Sequence, residues 1–160
     1  MFGNAAQLKA GEFSLSPRRS MYRIMHVLTE GHAVLHSVTI PEGLSNVQIY
    51  NLLAKTPLLN GDITSMPPEG SLLPETYYFP RGGSRDALIL QMEKAMRQTL
   101  DQLWDNRAPN LPLQNQDEAL VLASIVEKET GVAAERALVA SVFINRLNKN
   151  MRLQSDPTII

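Results

Sequence analysis

Leu120-Val121-Leu122-Ala123-Ser124-Ile125-Val126-Glu127-Lys128-Glu129-Thr130-Gly131 reads as an apolar helix that ends on two carboxylates. At about 100° per residue, Leu120, Val121, Leu122, Ile125 and Val126 define one apolar direction. Glu129 falls roughly 20° from it, in line with Leu122, Ile125 and Val126. Glu127 falls roughly 180° away and is expected to be the solvated carboxylate. A carboxyl on a buried face needs a reason. Burial favours its protonated form near neutral pH, which is the state a general acid requires. A plainer reading makes Glu129 part of a fraying last turn that Gly131 stops. Acidic residues at a helix C-terminus also oppose the macrodipole.

Working outward, the rest of the second half reads as helical too. Ser84 opens a helix to about Trp104, with Ala87, Leu88, Leu90, Met92 and Met96 inward. A loop with Pro109 and Pro112 leads into the Glu129 helix, entered at Asp117. Beyond Gly131, residues 133–148 suit one more helix, with Leu138, Val142 and Phe143 as core and Asn145 and Arg146 near its end. Asn145 suits a side chain bonding its own turn. Asp156-Pro157 suits an ordinary turn.

The first half reads as two short strand–helix units. Residues 8–15 alternate weakly and suit a strand, which Pro17 breaks. Ser20 caps a helix with a Met21, Ile24, Met25 and Leu28 stripe, and Gly31 ends it. A second strand covers 34–40, Pro41-Glu42-Gly43 turns, and Ser45 caps a helix with Val47, Ile49, Leu52 and Leu53, closed by Pro57. Residues 60–83 are rich in Gly, Pro and Ser and mark a junction. Within it, Tyr77-Tyr78-Phe79 suits either a packing plug or a wall on which sugars stack. The fold class is α+β.

Composition limits the function. Of 160 residues, 44% are hydrophobic and 19% charged, which supports a packed core. A net charge of −1 gives no electrostatic case for nucleic acid or an anionic membrane. Without cysteine, disulfide frameworks and thiolate catalysis are excluded, which fits the cytosol or a bacterial envelope compartment. No apolar run is long enough to span a bilayer, and the start lacks signal-peptide character. His26, His32 and His36 are not at metal-ligand spacing, and neither a phosphate-binding loop nor a nucleophile elbow appears. Carboxyl chemistry is what remains, or no chemistry.

Three segments then carry a likeness: Ser124-Ile125-Val126-Glu127-Lys128-Glu129-Thr130, Val139-Ala140-Ser141-Val142-Phe143-Ile144-Asn145-Arg146-Leu147 and Met151-Arg152-Leu153-Gln154-Ser155-Asp156-Pro157-Thr158. With Leu8–Phe13, Val38–Gly43 and Gly70–Tyr77 upstream, in the same order, the chain resembles the bacterial endolytic murein transglycosylase family, also called YceG-like. The resemblance implies cleavage between N-acetylmuramic acid and N-acetylglucosamine inside nascent peptidoglycan strands, leaving 1,6-anhydro ends. It implies no cofactor, glycan strands as partners with room for peptidoglycan synthases, and a single-pass inner-membrane protein with a periplasmic body. The membrane anchor is expected ahead of residue 1. Catalytic glutamates of lytic transglycosylases stand immediately before Ser or Thr, and Glu129-Thr130 matches where Glu127-Lys128 does not. Glu75, Asn145, Gln154, Asp156 and Thr158 are the candidate substrate shell.

The domain expectation is a LysM-like subdomain over 1–65, a junction over 66–83, and a mainly helical, lysozyme-like catalytic portion over 84–160. The chain reads as a fragment cut at both ends and is expected to show weak or no activity. The other reading is a non-catalytic peptidoglycan-binding or scaffold module, resting on the LysM-like half and the aromatic strip.

Overall fold

Polar side chains open the first four α-helices. In the computed structural model, which describes residues 8–154, Ser20 accepts the Arg23 N–H and starts α1 (Met21–Glu30). Ser45 starts α2 (Asn46–Lys55), and Gln48 returns a bond to the Ser45 N–H, closing a capping box. Ser84 starts α3 (Arg85–Asp105), and Asn115 starts α4 (Gln116–Glu129). Each cap satisfies a donor that the first helical turn leaves orphaned. A short 3-10 turn, Ala133–Glu135, leads into α5 (Arg136–Asn148).

The strands are short. β1 (Leu35–Thr39) pairs antiparallel with β3 (Thr76–Pro80), Val38 facing Tyr77 and Leu35 facing Pro80. β2 (Leu59–Asn60) pairs parallel with β4 (Gly83–Ser84). The architecture is α+β, as the composition and patterning suggest.

Two apolar cores follow from this order. The first joins Val38 and Ile40 at β1, Ile49 and Leu53 of α2, Leu59 of β2, Leu72, Tyr77 and Phe79 around β3, and Leu88, Ile89 and Met92 of α3. The second joins Leu122, Ile125 and Val126 of α4 with Phe143 of α5. The segment expected as a junction therefore contributes β3 to the first core, and α3 packs there as well. Between α3 and α4 lies an apolar groove of about 300 Å³, lined by residues that include Leu100, Leu103, Trp104 and Leu120.

Several sequence expectations change. Residues 8–15 form no strand, because their backbone finds isolated partners rather than a ladder: Lys9 donates to the Leu28 carbonyl and Val34 donates to that of Glu12. On α3, Ile89 is buried and Ala87 and Leu90 are exposed, because the inward stripe runs Leu88, Met92, Met96 at i, i+4, i+8 with Ile89 beside it. Met21 of α1 and Val47 of α2 are exposed, and α1 buries no residue. The 133–148 helix divides into its 3-10 turn and α5. Phe143 is its one buried residue, and Leu138 is 70% exposed with Val142 also exposed. Tyr77 and Phe79 alternate into the core while Tyr78 points out, as a strand's period of two requires.

Candidate active site

The end of α4 is built by Thr130. As the C-cap it is buried, its N–H bonding the Val126 carbonyl at 3.2 Å. Its hydroxyl accepts the Val132 N–H at 3.1 Å and donates to the Glu135 carboxylate at 3.1 Å. A hydroxyl that bonds the backbone two residues on fixes a turn. The chain therefore leaves α4 in one direction, and Glu129 stands at the last helical position before it.

Glu129 faces α5. With Val139, Val142, Phe143, Arg146 and Gln154 it lines a shallow groove of about 300 Å³. The helical wheel gave the right azimuth and the wrong burial. Glu129 is exposed, because the second core closes at Val126 and Phe143, short of the last turn of α4. Glu127, expected in solvent, is instead half-buried and ion-paired with Arg136 at 3.0 Å. The wheel treated α4 as if one neighbour covered it. In the structure the start of α5 reaches around to its other side.

The tail after α5 supplies the far wall. Asn150 and Gln154 both adopt positive φ, and Met151 N–H bonds back to the Arg146 carbonyl at 2.9 Å. The Arg146 guanidinium donates to the Leu153 carbonyl, which pins the tail to the helix end. Gln154 is thereby carried to the groove. Cationic side chains in a helix's last turn complement its dipole, so Arg146 is well placed for this.

Of the expected shell, Glu129 and Gln154 come together. Asn145 is exposed on α5 and does not line the groove. Glu75 lies before β3, where its carbonyl accepts the Ile40 N–H at 3.0 Å, and it too is absent from the groove lining. Burial, and then the Glu75 carboxylate, push the Tyr77 hydroxyl up to about 12. Asp156 and Thr158 lie outside the described residues. Arg146 is the groove residue that the sequence reading passed over. Its signal was present: Val139, Val142 and Arg146 share one face of α5 at i, i+3 and i+7.

What the groove offers chemically is a carboxyl group, a permanent guanidinium and a primary amide, set against apolar walls. That set can move a proton and hold hydroxyl or acetamido groups. Among the described residues no cluster of His, Cys, Asp and Glu suited to a metal ion occurs.

Comparison with known proteins agrees with the sequence likeness. A protein named endolytic murein transglycosylase from Streptococcus pneumoniae serotype 2 is 30% identical over 205 aligned positions, covering 99% of this chain and 36% of that protein. One of the same name from Bacillus subtilis is 35% identical over 99 positions, covering 59% of this chain and 26% of that protein. The chain thus spans about a third of the length of the pneumococcal relative. A crystal structure of a yceG-like protein from Listeria monocytogenes superposes with a TM-score of 0.55 at 30% identity, covering 95% of this chain and 60% of that one. A sequence profile of the YceG-like family matches residues 1–160, and the chain belongs to that family.

Proposed function

We propose that this chain carries the acid–base centre of a peptidoglycan lytic transglycosylase, a lyase that cuts glycan strands internally at the bond from N-acetylmuramic acid to N-acetylglucosamine. The observation that carries the proposal is Glu129, placed immediately before Thr130, in one groove with Arg146 and Gln154. Relatives named endolytic murein transglycosylase supply the substrate class.

One carboxyl group can serve both halves of this reaction. Glu129 gives its proton to the glycosidic oxygen as the bond to the anomeric carbon breaks. The muramic acid's own C6 hydroxyl then attacks that carbon, and its proton returns to Glu129. The product is a 1,6-anhydro end, no water is consumed, and the acid is regenerated. Ordinary retaining glycosidases instead place a second carboxylate about 5 Å away as nucleophile. The charge that develops on the sugar ring needs positioned polar partners. Gln154 and Arg146 are the near candidates. Asn145, Glu75, Asp156 and Thr158 stay in the proposal as an outer shell for a longer glycan. An exposed groove suits a polymer, because the bound strand itself excludes water from Glu129.

The LysM-like character of residues 1–65 and the lysozyme-like character of the helical part belong to the same proposal, as does a periplasmic body behind a single inner-membrane anchor. Among the described residues, no helix is long and apolar enough to cross a membrane. A binding module without chemistry is the weaker reading. Its aromatic wall is reduced to Tyr78, 62% exposed, since Tyr77 and Phe79 are core residues.

The test is digestion of purified peptidoglycan by the protein carrying this sequence, with mass-spectrometric counting of anhydro-muramyl ends. Glu129→Gln is expected to lower their formation by about 10²–10⁴-fold, the usual worth of a positioned acid. Glu127→Gln is expected to keep most of it, because the amide retains an oxygen for Arg136. Anhydro ends from the Glu129→Gln protein at the wild-type rate would remove Glu129 from the role. Strands bound but uncut by the wild type would favour the binding module.

A further inference from the structure

Arg136 opens α5, where a cation meets the positive end of the helix dipole and is locally disfavoured. Two carboxylates compensate. Its Nη2 donates to Glu127 at 3.0 Å on α4 and to Glu42 at 3.3 Å in the turn after β1. Beside it, Lys128 donates to the Gly43 carbonyl at 3.3 Å. That carbonyl belongs to a tight turn in which Gly43 has φ +75, and the Lys128 ammonium lies 3.8 Å from where a Cβ would stand on it. Five residues on three elements thus meet at one seam, two and one positions before Glu129 on α4. Further back along the same face of α4 as Glu127, the contact with α3 leaves an apolar groove open. The seam is a polar tie between the end of α4 and the turn that follows β1.

Resting on the proposed role of Glu129, we propose that Arg136 is a positioning residue: by bridging Glu127 and Glu42 it sets the angle at which the end of α4 presents Glu129 to the groove. Exposed ion pairs contribute little to stability. The consequence sought is geometric. A misplacement of about 1 Å in a reacting group can cost on the order of 10²-fold in rate.

The experiment has two arms, both on the protein carrying this sequence. Without substrate, hydrogen exchange is followed at the Thr130 and Val132 amides, whose bonds define the end of α4. Arg136→Gln is expected to speed exchange there about tenfold while the α2 amides around Leu53 hold. With peptidoglycan, Arg136→Gln is expected to lower kcat about tenfold or more with KM inside about twofold. Glu42→Gln is expected to lower kcat by a smaller factor, and adding it to Arg136→Gln is expected to change nothing further. Arg97→Gln, which removes an exposed pair with Glu93 on α3, serves as the neutral control.

Unchanged exchange at Thr130 and Val132 would overturn the clasp whatever the activity shows. Faster exchange with unchanged kcat would make it structural only and overturn the positioning role. Losses that multiply in the double variant would show that Glu42 and Arg136 are not one unit. If Arg136→Gln does not fold, Glu42→Gln, at an exposed side chain, carries both arms. A wild type that leaves strands uncut sinks the proposed function itself, and the exchange arm still reports on the clasp.

Discussion

Leu53, Ile89 and Met92 of the first core are closed to solvent, whereas Phe143, the most enclosed residue of the second, keeps 6% of its surface. The first core collects eleven buried residues, nine of them from five elements, so that removing one element leaves the others partnered. The second collects four from two helices, and each helix depends on the other. On α5, Leu138 and Val142 stay exposed. The candidate site stands on the thinner of the two. Regions that bind and react are drawn from the less stable parts of a fold, since they must stay open or adjust. Here the thick core fixes β1 and its following turn, and the seam at Glu42 and Gly43 passes that order to the end of α4.

The comparison breaks or holds on two truncations. Leu53→Ala removes a fully enclosed side chain and is expected to cost about 2–5 kcal/mol. Because the first core is the main cooperative unit, amides throughout β1, β3, α2 and α3 should lose protection together. Phe143→Ala is expected to cost about 3–5 kcal/mol. Its loss should appear in α4 and α5 and spare the β1–β3 ladder. Hydrogen exchange with residue resolution separates the two. If Phe143→Ala exposes the ladder as strongly as it exposes α5, the cores form one unit and the contrast fails.

The contrast also explains what the sequence reading reached. Ser20, Ser45, Ser84 and the turn at Gly43 were legible because a cap or a positive φ is decided within four residues. The alternation of Tyr77, Tyr78 and Phe79 was legible as a choice between plug and wall, and pairing with β1 made it a plug for two of the three. Burial on α4 and α5 was not legible. Leu138, Val142 and Val121 are as apolar as Ile125, and only the neighbouring element decides which of them is covered. Glu127 and Glu129 exchanged environments for the same reason. Spacing gives the azimuth of a side chain, and Arg136, nine residues beyond Glu127, set the environment that the azimuth met.

A second, smaller test uses the Tyr77 hydroxyl, which donates to the Leu73 carbonyl at 2.7 Å inside the first core. Desolvation, followed by the Glu75 charge, raises it to about 12 against an ordinary value of 10.0. A phenol raised in the folded state contributes stability that is complete below pH ~10 and is lost as pH rises through about 12. At about 1.4 kcal/mol per unit, the contribution at stake is roughly 2–3 kcal/mol. All four tyrosines lie in the first half of the chain, so the second core has no counterpart. Denaturant midpoints followed from pH 9 to about 12 should fall for the first core, and Tyr77→Phe should flatten that fall. A Tyr77→Phe protein with the wild-type alkaline profile would assign the loss to another group.

The smallest expected effect belongs to Thr130, and it bears most directly on the site. Thr130→Val keeps the buried shape and removes the hydroxyl that serves both the Val132 N–H and the Glu135 carboxylate. Each lost bond has a net worth of about 1 kcal/mol, and the orphaned Val132 donor can turn to water because its residue is exposed. Global stability should therefore move little, while exchange at the Val132 amide should rise several-fold and Thr130→Ser should restore it. A serine in this position can make the same two bonds, which gives a structural reason for Ser or Thr to follow a glutamate that must be held at a helix end. If Thr130→Val left both the Val132 amide and peptidoglycan cleavage at wild-type rates, the turn would be held by its packing. The thin core would then position Glu129 without help from the hydroxyl.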